Sequence, residues 1–539
     1  MARGRSRLRL PDGTGPALLG LVPLGFLAVF FLWPVAAIIQ RGLGSSGLAR
    51  VLGSSDTWAV VLFTVAQAAA STVVAVIAAM PVAFLLARCA LPGIAVVRAA
   101  ILVPFVLPTV VVGLAFRSLM PDGGVLSIVL ANAFFNVAVV ARTVAGLWSH
   151  LDRRAEDAAR ALGASPLRAF TSVTLPALRP AIGSAAAIVF LFCATSFGVV
   201  LLLGGARYRT LETEIYLRTV DLLDLSGAAA LSLIQITAVV SVLVLAALAR
   251  RRRETAMALR ARTETTRRPR GGEWWVAGAA YAVVASLMVP IVALVVRSLS
   301  TSDGWGLEGY RALSGTGFRG SLQISGIDAA MNSLRAATDA TLLALVLGVS
   351  ASVVLVSLGR SRAHPGFVDT LDTALMLPLG VSAVTVGFGY LITLDALPGD
   401  LRTSAALVPL AQAIVVTPLV IRMILPVLRS VDPRLRQAAG SLGASPWRVW
   451  REVDIPLAGR SLLAAAAFGF VVALGEFGAT SFLARPDSAT LPVVIGRLIS
   501  RPGELNNQMA YAACTMLMVV TVAVVLLVER LRVRSVGEF

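Results

Sequence analysis

The chain has 539 residues, of which 57% are hydrophobic and only 14% are charged, a balance too apolar for an ordinary soluble domain. Its formal net charge is +18, but the basic residues cluster between long apolar runs instead of covering one folded polar face, which excludes a typical nucleic-acid-binding protein. The composition therefore predicts an all-α, polytopic membrane protein lying in a lipid bilayer.

Twelve apolar runs are long enough to cross a bilayer as helices, which takes about 20 residues each. Six lie near residues 16–40, 59–87, 94–119, 125–148, 180–204 and 226–249. Six more lie near residues 274–297, 332–358, 369–392, 404–428, 461–484 and 507–529. We predict a first half over 1–249, a basic linker over 250–273 and a second half over 274–539.

The arginines fall in alternate connections between these runs, and cytoplasmic loops are the ones that carry excess basic residues. The basic segments are Arg3 to Arg9, Arg88 and Arg98, Arg153 to Arg168, Arg250 to Arg270, Arg360 and Arg362, Arg429 to Arg451, and Arg530 to Arg534. The first apolar run is too long for a cleaved signal peptide. We therefore expect a multi-pass protein of the inner (plasma) membrane with both termini in the cytoplasm.

Residue usage also limits the chemistry of the chain. All 47 basic residues are arginine, so no P-loop lysine is present, and any ATP that drives the protein must be bound by another polypeptide. Cys89, Cys193 and Cys514 are far apart and are expected to be packing residues. His150 and His364 are also far apart and are expected to be solvated, so we predict no metal site, no cofactor and no catalytic residue.

One segment occurs twice at a constant spacing, because residues 152–166 return as residues 432–446. The same register continues through Leu175-Pro176 and Ile455-Pro456, Phe197-Gly198 and Phe477-Gly478, and Thr210-Leu211 and Thr490-Leu491. Upstream, Pro104 and Gly113 correspond to Pro378 and Gly387 at a slightly shorter spacing. Both repeats lie between the fourth and fifth run of their half. The halves are therefore predicted to be parallel duplicates with the same orientation.

The repeated loop has the local signals of two short helices separated by glycine. In the first copy the helix begins near Asp157, and Gly163 provides a stop in the left-handed conformation. Ser165-Pro166 then suits the start of a second helix, with serine as N-cap and proline in the first turn. Leu175-Pro176 is predicted to end that helix and return the chain to the membrane.

These residues resemble the EAA loop of ABC import permeases, which has E-A-A, a glycine four positions later, and then I-x-L-P. The first loop, over about 150–178, matches with Asp157, Ala158, Ala159, Gly163, Leu175 and Pro176. The second, over about 430–458, matches with Gln437, Ala438, Ala439, Gly443, Ile455 and Pro456. The glutamate is replaced in both copies, and Gln437 also removes its charge.

The resemblance covers essentially the whole chain and implies the type I ABC importer permease fold. In that family each EAA loop forms a coupling helix that binds a separate ATP-binding subunit. The implied partners are two ATPase subunits on the cytoplasmic side and an extracytoplasmic solute-binding protein, and the permease is not itself an enzyme.

Two groups of fused twelve-span permeases are most similar, and both transport small cations. The segment Glu476 to Thr480, followed by Thr490 to Pro492, looks like the ferric-ion type. Phe134 to Asn136, Gly204-Gly205 and the longer stretch Thr210 to Tyr216 look like the thiamine type. Thiamine and ferric iron both remain open as the transported solute.

Glu476 lies in the apolar run 461–484, where a carboxylate is costly and marks a functional position. We expect Glu476, and Ser196 at the corresponding position of the first half, to line the translocation pathway. The alternative is a structural role, such as pairing with Arg485.

Two other classes of protein compete with this interpretation. A secondary transporter can also be built from parallel six-span repeats, but it has no need of duplicated docking loops. A polytopic membrane enzyme needs ionisable residues gathered within the membrane, and the sequence contains no such cluster.

Overall fold

A computed structural model describes residues 14–44, 47–251, 266–301, 304–315, 322–360, 365–393 and 404–533. The arginines before residue 14, most of the linker and His364 lie outside these ranges. Within them, the structure is helical apart from connections and one two-residue hairpin.

Thirteen helices precede the linker in the described part of the chain. They are α1 (Thr14–Leu27), α2 (Trp33–Gly44), α3 (Gly47–Leu52), α4 (Ser55–Arg88), α5 (Ile94–Val106), α6 (Thr109–Leu119), α7 (Val125–Trp148), α8 (Arg154–Ala161), α9 (Pro166–Ala169), α10 (Leu175–Ala194), α11 (Gly198–Leu203), α12 (Leu211–Val220) and α13 (Leu225–Arg251). Two π-helical segments, Ala28–Leu32 and Phe170–Thr174, join α1 to α2 and α9 to α10.

The described part of the second half repeats this order. Its helices are α14 (Glu273–Leu299), α15 (Glu308–Ala312), α16 (Gly326–Arg360), α17 (Pro365–Met376), α18 (Ala383–Thr393), α19 (Leu407–Ser430), α20 (Pro433–Ser441), α21 (Pro446–Val449), α22 (Ile455–Leu474), α23 (Thr480–Leu483), α24 (Leu491–Ile499) and α25 (Glu504–Val533). A 3₁₀ turn (Leu377–Gly380) follows α17, and a π-helical segment (Trp450–Asp454) joins α21 to α22. The antiparallel strands β1 (Ser300–Thr301) and β2 (Gly304–Trp305) form the hairpin after α14, with Ser300 opposite Trp305.

Among the described residues, ten helices are long and apolar enough to cross a membrane, and the number reaches twelve if each of two bent pairs is one span. The bent pairs are the third predicted runs of the two halves. α5 and α6 meet at 100°, and the helix 366–380 meets α18 at 92°. The predicted runs over 94–119 and 369–392 are therefore each divided into two helices. The first bend follows from Pro108, because the residue before a proline avoids helical geometry, and Leu107 is extended.

The fifth run of each half also differs from its predicted position. The helices cover Pro166–Ala194 and Trp450–Leu474 rather than 180–204 and 461–484. Leu175-Pro176 and Ile455-Pro456 were predicted to end the second short helix, but each pair lies inside a continuous helix. A π-helical segment directly precedes each pair. Such a segment changes the hydrogen-bond pattern where the proline offers no N–H, so the helix continues.

The contacts divide the described residues into two compact units, and each contains helices of both sequence halves. One unit comprises residues 1–38, 331–484 and 527–539. Within it α19 packs against α22, and α18 packs against α23. Its core includes the fully buried Phe388 and Tyr390, and the Phe30 ring meets Tyr390 edge-on at 6.4 Å.

The other unit comprises residues 39–330 and 485–526. Within it α4 packs against α7 and α10, and α14, the first span of the second half, packs against α4 and α6. A buried polar network joins three of these helices. The Gln67 side chain donates to the carbonyl of Cys193 at 2.8 Å, and Asn132 donates to Gln67 at 2.9 Å. The sequence halves are therefore not the compact units of the fold.

Repeated glycines bring the bent spans close to the turns that follow the fifth spans. In the unit that contains residues 39–330, a side chain added at Gly198 would meet the Thr109 hydroxyl at 2.6 Å, and one added at Gly113 would meet Leu202 at 2.8 Å. In the unit that contains residues 331–484, a side chain added at Gly387 would meet the Ala479 backbone at 2.7 Å. Close backbone approach thus explains why these glycines recur in both halves.

Candidate functional site

The first repeated loop is a helix that ends at a glycine, as predicted. α8 is followed by Gly163 at φ +90°, and the Gly163 N–H donates to the carbonyl of Arg160 at 3.0 Å. The Ala164 N–H donates to the carbonyl of Ala159, also at 3.0 Å. These two bonds form a Schellman motif, which satisfies the last helical carbonyls and turns the chain sharply.

The second loop has the same geometry. α20 is followed by Gly443 at φ +82°, whose N–H donates to the carbonyl of Gly440 at 2.9 Å. The Ala444 N–H donates to the carbonyl of Ala439 at 3.0 Å. Ser165 and Ser445 then accept hydrogen bonds from the N–H groups three residues later, at 3.3 Å in both loops. The serine caps predicted from the sequence are therefore confirmed.

The predicted coupling residues are largely open to solvent. Asp157, Ala158 and Gly163 are exposed in the first loop, and Gln437, Ala438 and Gly443 are exposed in the second. Ala159 and Ala439 are half-buried, as are Leu175, Pro176 and Ile455, while Pro456 is exposed. Asp157 and Gln437 occupy equivalent exposed positions, so the loss of charge in the second loop changes the surface and not a buried contact.

The sequence analysis missed the most exposed apolar residue of each loop. Leu162 and Leu442 precede the two glycines, and each is 89% exposed. At this exposure neither leucine contributes to packing within the chain, and the two tips match in residue type and position. Their shared position in the repeat was the signal that could have identified them.

Different contacts lie at equivalent positions beneath the two loops. In the first loop the Thr174 hydroxyl donates to Glu156 at 3.1 Å. In the second, Arg436 and Asp454 occupy these positions, and the Arg436 Nε donates to Asp454 at 2.7 Å. The Asp454 side chain is only 4% exposed.

The end of the linker is fixed beside the first loop. The backbone of Arg267 pairs with the end of α4, donating to the carbonyl of Arg88 at 3.0 Å and accepting from Ala90 at 2.9 Å. The Arg267 guanidinium donates to both carboxylate oxygens of Glu273, at 2.7 and 2.9 Å. Burial, and then the positive charge of Arg267, lower the pKa of Arg153 at the start of α8. The linker end therefore places a positive charge near Arg153 at the start of the first loop.

Glu476 lies in the turn after the fifth span and not in the middle of a helix. Its carboxylate accepts hydrogen bonds from the N–H groups of Ala479, at 2.7 Å, and Thr480, at 3.0 Å, and from the Thr480 hydroxyl. It is buried and caps the first turn of α23. Arg485, the partner that the structural alternative suggested, contacts Asp487 at 3.0 Å.

Ser196 occupies the corresponding turn of the first half. It is 3% exposed, and its hydroxyl has no hydrogen-bond partner among the described residues. The two turns therefore differ in chemistry, because one carries a carboxylate engaged with the backbone and the other carries an unpaired hydroxyl.

Two further buried carboxylates lie in α12, in the stretch that resembles thiamine permeases. Glu212 accepts a hydrogen bond from Gln235, and Glu214 forms ion pairs with Arg209 at 3.2 Å and Arg218 at 2.9 Å. Their resemblance to thiamine permeases predicted no role for either carboxylate. No group of three or more metal-ligating side chains occurs among the described residues.

Comparison with known proteins defines the class. Residues 71–254 and 361–536 match the family described as binding-protein-dependent transport system inner membrane component. The chain belongs to this family, so it is the permease subunit of an ABC importer and a multi-pass protein of the inner membrane. This assignment rules against the secondary transporter considered above.

Individual relatives cover either the whole chain or half of it. The chain is 26% identical to the thiamine transport system permease protein ThiP of Brucella abortus, with 98% of this chain and 97% of the relative aligned. It is 25% identical to ThiP of Salmonella typhimurium over 90% of this chain and 91% of the relative. A putative 2-aminoethylphosphonate transport system permease protein, PhnV, of Salmonella typhimurium is 28% identical over 48% of this chain and 95% of its own length.

Proposed function

We propose that each repeated loop is a docking site for one separate ATP-binding subunit, so that one chain binds two of them. The proposal is carried by one observation: the two loops share the same Schellman turn, the same serine cap and an equally exposed leucine tip. Two equivalent apolar tips suit two equivalent partners. The residues assigned to coupling are Asp157, Ala158, Ala159, Gly163, Leu175 and Pro176 in the first loop, and Gln437, Ala438, Ala439, Gly443, Ile455 and Pro456 in the second.

The chain itself is proposed to lack an ATPase site, because it contains no lysine for a P-loop. Native mass spectrometry of the complex tests the arrangement. We expect one permease chain with two ATPase subunits, and ATP hydrolysis only when these subunits are present. A complex of two permease chains with two ATPases would contradict the proposal.

The transported solute is proposed to be thiamine. Full-length similarity to two thiamine permeases supports it, and so does the thiamine-like stretch Thr210 to Tyr216. Ferric iron, the other solute suggested by the sequence, gains no support from these relatives. The half-length similarity to a 2-aminoethylphosphonate permease supplies a useful alternative for the test.

Solute choice can be measured with the purified partner binding protein and the assembled transporter in proteoliposomes. We expect thiamine to be retained by the binding protein and to stimulate ATP hydrolysis, while ferric iron and 2-aminoethylphosphonate do neither. Stimulation by one of the latter two alone would exclude thiamine.

Glu476 and Ser196 are proposed to line the pathway, at the turns where the fifth spans end. The proposal rests on their burial and on the absence of a partner for the Ser196 hydroxyl within the described residues. A carboxylate within the membrane marks a functional position, and an ionised Glu476 would attract a cation. Both termini and the linker are proposed to face the cytoplasm, as the arginine distribution indicates.

A further inference from the structure

The first docking loop packs against the aromatic stack, a name used for the three tilted rings of Phe84, Trp148 and Phe170. Trp148 ends α7 and is 4% exposed, and its ring lies 5.8 Å from the ring of Phe170 and 5.7 Å from that of Phe84. Phe170 begins the π-helical segment that follows the loop, and Phe84 belongs to α4. Large rings in contact therefore connect the loop to two membrane helices.

Smaller residues occupy two of the three equivalent positions in the second half. The constant spacing of the repeat places Leu428 at the position of Trp148, and Trp450 at the position of Phe170. Alignment of the arginines that end α4 and α16 places Val356 at the position of Phe84. A cleft of about 340 Å³ lies there, lined by Val356, Leu428, Gly440, Ala444, Trp450 and other residues.

A charged contact takes the place of this packing. Besides the 2.7 Å bond from its Nε, Arg436 donates to Asp454 through Nη2. It also donates to the carbonyls of Leu428 at 3.3 Å and Val431 at 3.4 Å. One side chain of α20 is thus joined to the end of α19 and to the start of the fifth span.

We propose that Arg436 and Asp454 are the positioning residues of the second docking loop, whereas the first loop is positioned by the aromatic stack. Atoms that line a cleft lack contacts on one side, so packing contributes less to holding the second loop. A buried ion pair is costly to break because the remaining charge is left without a partner. The inference rests on the proposed docking function of the loops.

The position of each loop can be followed without any ATPase. A single cysteine replaces either Leu442 or Leu162, both exposed, and carries a spin label, while the three native cysteines are buried. The test variant is Asp454→Asn, and the matched control is Thr174→Val, which removes the equivalent contact of the first loop. We expect Asp454→Asn to mobilise the label at 442, and Thr174→Val to leave the label at 162 unchanged.

Transport provides a second measurement on the same variants. We expect ATP-driven uptake to fall by about tenfold in Asp454→Asn, because a buried ion pair is lost. In Thr174→Val it falls by less than about twofold, because only one hydrogen bond is lost. Adding Leu428→Trp to Asp454→Asn supplies the missing ring, and we expect it to immobilise the label again and to restore at least half of the lost uptake.

If Asp454→Asn does not accumulate in the membrane, the double variant Arg436→Ala/Asp454→Ala carries the same expectation, since it removes the contacts of both side chains and leaves no unpaired buried charge. An immobile label at 442 in these variants would overturn the proposal, whatever the uptake. A mobile label combined with normal uptake would instead refute the docking function of the loop.

Discussion

Replacing Gly443 by valine tests the geometry of the second docking loop most directly. Gly443 has φ +82°, and an added side chain at this position meets no atom within 4 Å. The cost of Gly443→Val therefore comes from the backbone alone, because a β-branched residue is disfavoured in the left-handed region. Span packing and membrane insertion are expected to remain unchanged.

The size of the effect follows from the strain. A non-glycine residue held in this conformation costs roughly 1–3 kcal/mol. The chain can avoid that cost by giving up the two Schellman hydrogen bonds, from Gly443 to Gly440 and from Ala444 to Ala439. A difference of this size changes a conformational equilibrium by roughly 5- to 150-fold. We expect solute-stimulated ATP hydrolysis and uptake to fall within that range.

Two variants serve as controls in the same proteoliposome assay. Asparagine tolerates the left-handed conformation, so Gly443→Asn is expected to retain most of the uptake. Gly440→Ala adds a side chain inside α20 where no atom lies within 4 Å, and alanine favours the helix, so no loss is expected. Normal uptake and normal ATPase stimulation in Gly443→Val would show that the turn is not required for coupling.

Three further variants test the remaining sites. Glu476→Gln keeps the side-chain volume and one acceptor oxygen but removes the negative charge. We expect weaker uptake of thiamine at limiting concentration, with unchanged binding of the ATPase subunits. Unchanged uptake would leave Glu476 with a role only as the cap of α23. Burial, and then the negative charge of Glu273, raise the pKa of the Cys89 thiol to about 11, so only about 0.1% of this thiol is thiolate at pH 8. N-ethylmaleimide is therefore expected to label the cysteine of Leu162→Cys far faster than Cys89. Equal labelling rates would contradict the buried position of Cys89. Glu273→Gln removes the ion pair with Arg267. Because both side chains of this pair are more than one-fifth exposed, we expect the free energy of unfolding to fall by less than about 1 kcal/mol, measured as a small shift in thermal unfolding. A large shift would show that the linker end is a main support of the fold.

The sequence predicted best what depends on neighbouring residues. The Schellman turns at Gly163 and Gly443 need only a glycine and bonds across a few residues, so the pattern indicated them directly. The span Val125–Trp148 lies where its apolar run predicts, because a helix in a bilayer satisfies its own backbone hydrogen bonds. The duplicated loops likewise followed from their constant spacing in the chain.

Predictions failed where apolar composition does not show how the backbone runs within a span. Apolar composition does not distinguish a straight helix from one bent by 100°, so the break at Leu107-Pro108 was missed. The prolines after the docking loops indicated helix ends, but the π-helical segment before Pro176 lets the helix continue. Glu476 stood out as a carboxylate in an apolar run, yet its role as a cap exists only because the chain turns back to present the Ala479 N–H.

The sequence by itself determined a twelve-run membrane permease with two glycine-ended repeated loops, since hydropathy and local turns are properties of contiguous residues. Only the tertiary structure decided which helices form each compact unit, because apolar surfaces in a membrane do not specify their lateral partners by hydropathy. The same holds beneath the loops. Trp148 and Leu428 are both ordinary apolar residues in the sequence. Their neighbours in the fold decide that Trp148 packs against other rings and that Leu428 lines a cleft.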